Sequence, residues 1–270
     1  MGSDLYQKTY YTNKYIEFLI NTYIREYDIR RAGPTALLIG GCIDQNKYNY
    51  LCSLDRMQRQ IQTGLLIRDN PKFDEVRKGV ISNARKLFIE GNNIQDSDIL
   101  SIKNDAVYVI GKTANITSFY DGVLQFIPKN VYTSYYRYNR TEMYYFGEHA
   151  IGQEKIDIKN ISDDNLIKHR EFMLDFLMYI FDLAQTSNVQ DVIQNIQSML
   201  DKYINLELSL GYYREFNSRS AFRVNVSEFT DYYADFIPED FDLHLLDIGQ
   251  NFDLLRYLYK IFSNLYFGKK

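Results

Sequence analysis

The sequence predicts an α+β fold, an antiparallel sheet with packed helices followed by a mostly helical C-terminal subdomain. Three observations carry this expectation. A strand-like run, Tyr23-Ile24-Arg25-Glu26-Tyr27-Asp28-Ile29, passes directly into a helix-like start at residues 30–38, with Pro34 near its beginning. Residues 72–93 place Val76, Val80, Ile81, Ala84, Leu87, Phe88 and Ile89 at three- and four-residue spacing, a single apolar stripe that needs a sheet to cover. Residues 99–110 read as two short apolar strands around Asn104-Asp105, the pattern of a hairpin.

Taken in order, residues 4–22 mix polar and aromatic groups and are expected to form a helix leading into the Asp28 strand. A helix at about 34–40 ends at Gly40-Gly41, and Asp44-Gln45-Asn46-Lys47 reads as a loop. Residues 50–68 predict one helix with Leu51, Leu54, Ile61, Leu65 and Leu66 apolar, broken by Asn70-Pro71. The 72–93 helix stops at Gly91-Asn92-Asn93. Beyond the hairpin, strands are expected at 122–127 and 131–138, the latter turning at Asn139-Arg140-Thr141 into 142–146. From about residue 160 the pattern becomes helical. Ser162-Asp163-Asp164 caps a long helix over 163–185, Asn188 opens another to about 206, and a terminal helix spans about 247–266. The division expected is residues 1–150 as the α+β region, with a helical insertion at about 42–93, and 151–270 as the helical part.

A net charge of −4 leaves no global basic footprint, so any nucleic-acid contact must come from local patches or a bound metal. The 25 Tyr and 17 Phe offer rings that can stack on bases, but this usage is also what an AT-rich genome, phage or low-GC bacterial, produces. Cys42 and Cys52 form no disulfide framework, and His149, His169 and His244 lack ligand spacing, which points to a reducing cytoplasm and away from zinc. No apolar run reaches the roughly 18 residues of a membrane span, so no membrane association is expected.

The chemistry concentrates in two carboxylates. Asp28 sits at a strand-to-helix switch and Asp105 at a hairpin tip. Two Mg²⁺ ions about 3.5–4 Å apart need carboxylates on adjacent rigid strands, and this pair is placed to supply them. Taken singly, Asp28 also suits a helix N-cap and Asp105 an ordinary turn. Arg56 and Arg59, three residues apart on one helical face, can clamp a triphosphate or form a solvated surface.

The order strand-Asp-helix, basic helix, long apolar helix, hairpin-Asp resembles the palm of nucleic-acid polymerases, family B DNA polymerases in particular. Their first motif runs Asp, two residues, then Ser-Leu-Tyr-Pro-Ser; here Asp28-Ile29-Arg30-Arg31-Ala32-Gly33-Pro34-Thr35 has its Asp and Pro in register. The family's hairpin carries two Asp two residues apart, whereas Lys103-Asn104-Asp105-Ala106 carries one. The basic middle motif is matched in type by Arg56 to Gly64.

The resemblance implies a palm-like sheet with a fingers-like insertion and a thumb-like C-terminal part. It implies catalytic, metal-binding Asp28 and Asp105, the Ile29 carbonyl as a further ligand, and Mg²⁺ or Mn²⁺ as cofactor. Arg31, Gly33, Arg56 and Arg59 would meet a nucleotide triphosphate, and Tyr213, Arg214, Arg219 and Arg223 would meet nucleic acid. Gly33 stands where the family has a Tyr that excludes the ribose 2′-hydroxyl, so a ribonucleotide-accepting polymerase or primase-like nucleotidyltransferase is expected. The single hairpin carboxylate and the acidic balance keep an alternative open: a non-catalytic α+β protein, palm-derived or unrelated, that binds nucleic acid or a protein partner subunit.

Overall fold

Strand β3 (Ile24–Ile29) is the axis of the fold. Its alternate side chains point to opposite faces, and it pairs antiparallel on one side with β5 (Ala106–Ile110) and on the other with β7 (Leu124–Tyr132). With β1 (Tyr10–Thr12), β4 (Ile99–Lys103) and β6 (Ser118–Phe119), these make a six-stranded antiparallel sheet in the order β1-β4-β5-β3-β7-β6. The computed structural model describes residues 4–19, 22–138, 142–147, 156–159, 179, 183, 187–205 and 207. Among these, residues 4–16 and 22–132 form one compact unit, and 17–19 with those from 133 onward form a second.

Helices α1 (Ala32–Ile39) and α4 (Lys72–Gly91) cover the apolar face of the sheet. The predicted stripe of α4 puts Ile81, Ala84 and Phe88 against Tyr27, Ile29, Val107, Val109 and Phe126. Phe88 stacks on Phe126 with ring centroids 4.3 Å apart and lies 5.2 Å from the Tyr27 ring. Burying one such ring contributes about 1.5–3 kcal/mol, so the aromatic trio anchors the unit. The α+β class holds, with the sheet and packed helices as expected.

Three local expectations are corrected. The helix expected over 4–22 is not formed by the described residues 4–19: after a 3₁₀ turn at Asp4–Gln7 they form β1 and β2 (Phe18–Leu19). No 3.6-residue stripe runs through them, and Tyr10-Tyr11-Thr12 has the β-branched and aromatic character that pairs on a sheet edge. The 50–68 helix is two helices, α2 (Gln45–Ser53) and α3 (Arg56–Asp69). Asp44 and Asp55, accepting from the amides of Lys47 at 2.7 Å and Gln58 at 2.8 Å, are N-caps that start each one. The strands expected at 122–127 and 131–138 divide elsewhere: β7 runs unbroken through Pro128 to Tyr132, and β8 (Ser134–Tyr138) begins after Thr133.

In the second unit, β2, β8, β9 (Glu142–Phe146) and β10 (Ile156–Lys159) form an antiparallel sheet ordered β10-β9-β8-β2, with Tyr135 and Tyr136 fully buried. Helix α5 (Val189–Ile204) opens where expected, since the Asn188 side chain accepts from the Asp191 amide at 3.0 Å and Val192 and Ile196 are buried. The predicted helices at 163–185 and 247–266 lie outside the described residues. No helix among the described residues is long and apolar enough to cross a membrane.

Candidate functional site

Antiparallel register brings the two carboxylates together. Asp28 pairs with Ala106, and Asp105 directly precedes Ala106 in the two-residue turn between β4 and β5. Asn104 takes the left-handed conformation in that turn (φ 52°), which Asn tolerates better than most residues. The Asp28 and Asp105 carboxyls are close enough for the charge of Asp28 to act on Asp105. Burial first, and the adjacent negative charge of Asp28 second, push the Asp105 carboxyl up to about 7. Asp28 itself is a strand residue. The N-cap position of α1 is Arg31, with φ 53° and no capping side chain, so the capping explanation for Asp28 falls away.

The turn is held from beneath by Arg85, a residue the α4 stripe did not single out. Only 2% of Arg85 is exposed. Its guanidinium donates to the Asn104 carbonyl and, at 2.8 Å, to the Tyr6 carbonyl. Burial pulls its pKa down to about 10, against the opposing pull of Asp105. Arg85 therefore fixes the backbone that carries Asp105.

A second missed group is Lys129. Across β3 a single residue, Tyr27, separates Glu26 from Asp28; across β7 two residues, Pro128 and Lys129, separate their partners Asn130 and Ile127. The extra residue is a β-bulge, fitting for a segment where Pro128 has no amide to donate. The bulge aims Lys129 at both acids: its Nζ lies 3.5 Å from Glu26 Oε1 and 3.5 Å from Asp28 Oδ2. Burial works against the ammonium charge, but Glu26 and Asp28 together outweigh it and raise the Lys129 pKa. Glu26 is 2% exposed, and its Oε2 accepts from Asn130 Nδ2 at 2.6 Å and from the Tyr132 hydroxyl at 3.2 Å. A Glu within a predicted strand was the available signal, while Pro128 and Lys129 fell between the strands expected at 122–127 and 131–138. The meeting of Glu26 and Lys129 depends on a bulge that local sequence does not announce.

These groups open onto a cavity of about 440 Å³. Asp28, Ile29 and Asp105 line it, as do Arg31 and Gly33 from the start of α1 and Arg56 and Arg59 from α3. Lys129, Thr63 and Arg77 join them. All candidates from the first 110 residues thus face one space. Arg59 is braced, its Nη1 donating to the Leu54 carbonyl at 3.0 Å, and Arg77 is paired with Asp74 at 2.6 Å. Gly33 has a packing reason as well: a Cβ there would stand 3.0 Å from the Thr63 methyl, so α1 and α3 approach as closely as they do because no side chain intervenes. Tyr213, Arg214, Arg219 and Arg223 lie outside the described residues.

To a divalent cation the cavity offers two carboxylates, Asp28 and Asp105, set among the cationic Lys129, Arg31, Arg56, Arg59 and Arg77. Asp28 Oδ1 is buried with no hydrogen-bond donor against it, and the second carboxyl stands beside it. Among the described residues there is no cluster of three or more His, Cys, Asp or Glu side chains placed to hold a metal.

An acidic pair at the join of a strand and a hairpin, under a basic helical wall, defines this α+β protein structurally. A family model described as Bacteriophage PBS1 gene 130 protein matches residues 1–263, and the chain belongs to that family. It is accordingly a phage protein, in keeping with its Tyr-rich composition. Comparison with curated proteins gave no match.

Proposed function

We propose that this protein is a metal-dependent nucleotidyltransferase, a template-directed polymerase or primase-like enzyme that accepts ribonucleotides. The observation that carries the reading is the meeting of Asp28 and Asp105 in a cavity walled by Arg31, Arg56 and Arg59. Two apposed carboxylates with an unpartnered buried oxygen are costly unless a cation or a proton neutralises them. A wall of guanidinium groups opposite them suits a polyphosphate.

In this reading Asp28 and Asp105 would hold the Mg²⁺ or Mn²⁺, which when bound would supply Lewis-acid stabilisation of charge on the phosphoryl oxygens. Arg56 and Arg59 bind the triphosphate and neutralise the departing pyrophosphate. A 3′-hydroxyl forms the new bond to the α-phosphorus as the bond to pyrophosphate breaks, and the hydroxyl proton leaves to solvent or to a carboxylate. Arg85 acts through the turn, keeping Asp105 against Asp28.

The test is nucleotide incorporation on a primed template with Mg²⁺ or Mn²⁺, offering NTPs and dNTPs separately. Incorporation of both sugars is expected, with Asp28→Asn and Asp105→Asn each abolishing it while circular dichroism stays unchanged. Arg56→Ala should weaken nucleotide affinity by roughly 1.5–3 kcal/mol, the range for hydrogen bonds involving charged groups. Wild-type protein that binds nucleic acid but incorporates nothing would instead favour the non-catalytic reading, for which the single hairpin carboxylate speaks.

A further inference from the structure

We infer that the cavity continues past Arg31 into a second binding site, lined by Arg30, Gln45, Tyr48 and Gln125. It takes the base-and-sugar end of a nucleotide whose phosphates are held by Arg31, Arg56 and Arg59, with no metal ion. This rests on the phosphate-binding part of the reading above, not on its metal or its reaction.

The second site is a cavity of about 330 Å³. It lies where the end of β3, helix α1, the start of α2 and the turn into β7 meet. Two features join it to the first cavity. Arg31 lines both. Along β7, Gln125 lines the second and Ile127 the first, while Leu124 and Phe126 between and before them turn into the core. Gln125 and Ile127 therefore share one face of the strand, roughly 7 Å apart. The junction is also fixed. Arg31 has a left-handed backbone, φ 53°, which is uncommon outside glycine. It is pinned on either side, since the Arg30 amide donates to the Gln125 carbonyl at 2.9 Å and the Thr35 amide to the Arg31 carbonyl at 3.1 Å.

Charge divides the two cavities by role. The first holds Arg31, Arg56, Arg59, Arg77 and Lys129 against Asp28 and Asp105. Arg77 is paired with Asp74 and Lys129 with Asp28. Among the described residues no carboxylate pairs with Arg31, Arg56 or Arg59, although the chain as a whole is acidic. Three uncompensated guanidinium groups can hold a phosphate chain directly, without an intervening ion. The second cavity has no carboxylate in its lining and is suited to a planar, polar group. Half-buried Tyr48 offers a ring on which a base can stack. The amides of Gln45 and Gln125 supply donors and acceptors for its edge.

The experiment is isothermal titration calorimetry of the full chain in EDTA, with ATP, GTP, CTP and UTP each compared with inorganic tripolyphosphate. At least one nucleotide should bind about fivefold or more tightly than tripolyphosphate, the lower end for stacking a base on an aromatic ring. Tyr48→Ala should remove that advantage and Tyr48→Phe should keep it, with tripolyphosphate binding by each variant showing that the phosphate part is still formed. Arg31→Ala should weaken nucleotide and tripolyphosphate alike. Equal affinity for tripolyphosphate and all four nucleotides would overturn the second site while leaving the phosphate wall of the proposed function standing. An advantage that survives Tyr48→Ala, binding that appears only with Mg²⁺, or no binding at all would also overturn the inference. A Tyr48-dependent advantage with no nucleotide incorporation would leave this inference standing and remove the proposed reaction.

Discussion

The two faces of strand β3 obey opposite rules. On one, Tyr27 and Ile29 are packed into an apolar core with Phe88 and Phe126, and the Tyr27 hydroxyl accepts from the Ala114 amide at 2.8 Å. On the other, one residue away in each case, Glu26 and Asp28 share Lys129, and Asp28 stands beside Asp105. The first face is satisfied group by group. The second keeps an unpartnered carboxylate oxygen and a carboxyl forced toward neutrality. The same six residues thus carry both the stabilising and the destabilised part of the unit, as expected where function opposes packing. The rigid face makes the strained one possible, because only a strand held from behind can keep two acids together.

The largest effect should come from breaking the satisfied face. Phe88→Ala removes the ring between Tyr27 and Phe126 and should cost about 3–5 kcal/mol in urea denaturation. A cost below about 1 kcal/mol would mean that the aromatic trio does not anchor the sheet.

The other face should respond with the opposite sign. Between the ordinary carboxylate range and about 7, the unfolded chain has released a proton that folded Asp105 retains, so the pair's contribution to stability falls as pH rises through that window. Asp105→Asn abolishes this dependence. The variant should match wild type near pH 4 and exceed it by roughly 1–3 kcal/mol at pH 8, after allowing for solvent screening. Denaturation curves at the two pH values check it; a variant less stable than wild type at pH 8 would show that the pair is not repulsive.

The smallest effect is at the seam between the faces and the helices. Gly33→Ala forces its new methyl against Thr63 and should destabilise by about 1 kcal/mol, the lower end for overpacking. A gain in stability would mean that α1 and α3 yield freely. The same variant with an altered NTP to dNTP ratio would tie position 33 to sugar choice as well as to packing.

Much of this was written locally in the chain. The α4 stripe, the hairpin around Asn104-Asp105 and the helix opened by Asn188 depend on spacing and short-range hydrogen bonds, which a sequence displays directly. Asp28 and Asp105 could be named as a pair because both sit at element ends, where backbone geometry repeats from protein to protein. What escaped was non-local. The N-terminal segment became strand because β4 offered an open edge, and helices α2 and α3 parted because Asp44 and Asp55 each found amides to cap.

By itself, then, the sequence determined the fold class, the core stripe and the two acids at the heart of the cavity. Only the tertiary structure decided that Lys129 would stand between Glu26 and Asp28 and that Arg85 would hold the Asn104 carbonyl. The physical reason is distance along the chain. Lys129 meets Glu26 through a bulge in the pairing of two strands about a hundred residues apart, and Arg85 meets the turn only once α4 lies across the sheet. Periodicity records which side of its own element a residue occupies; the partner across the sheet is chosen by the register that folding sets.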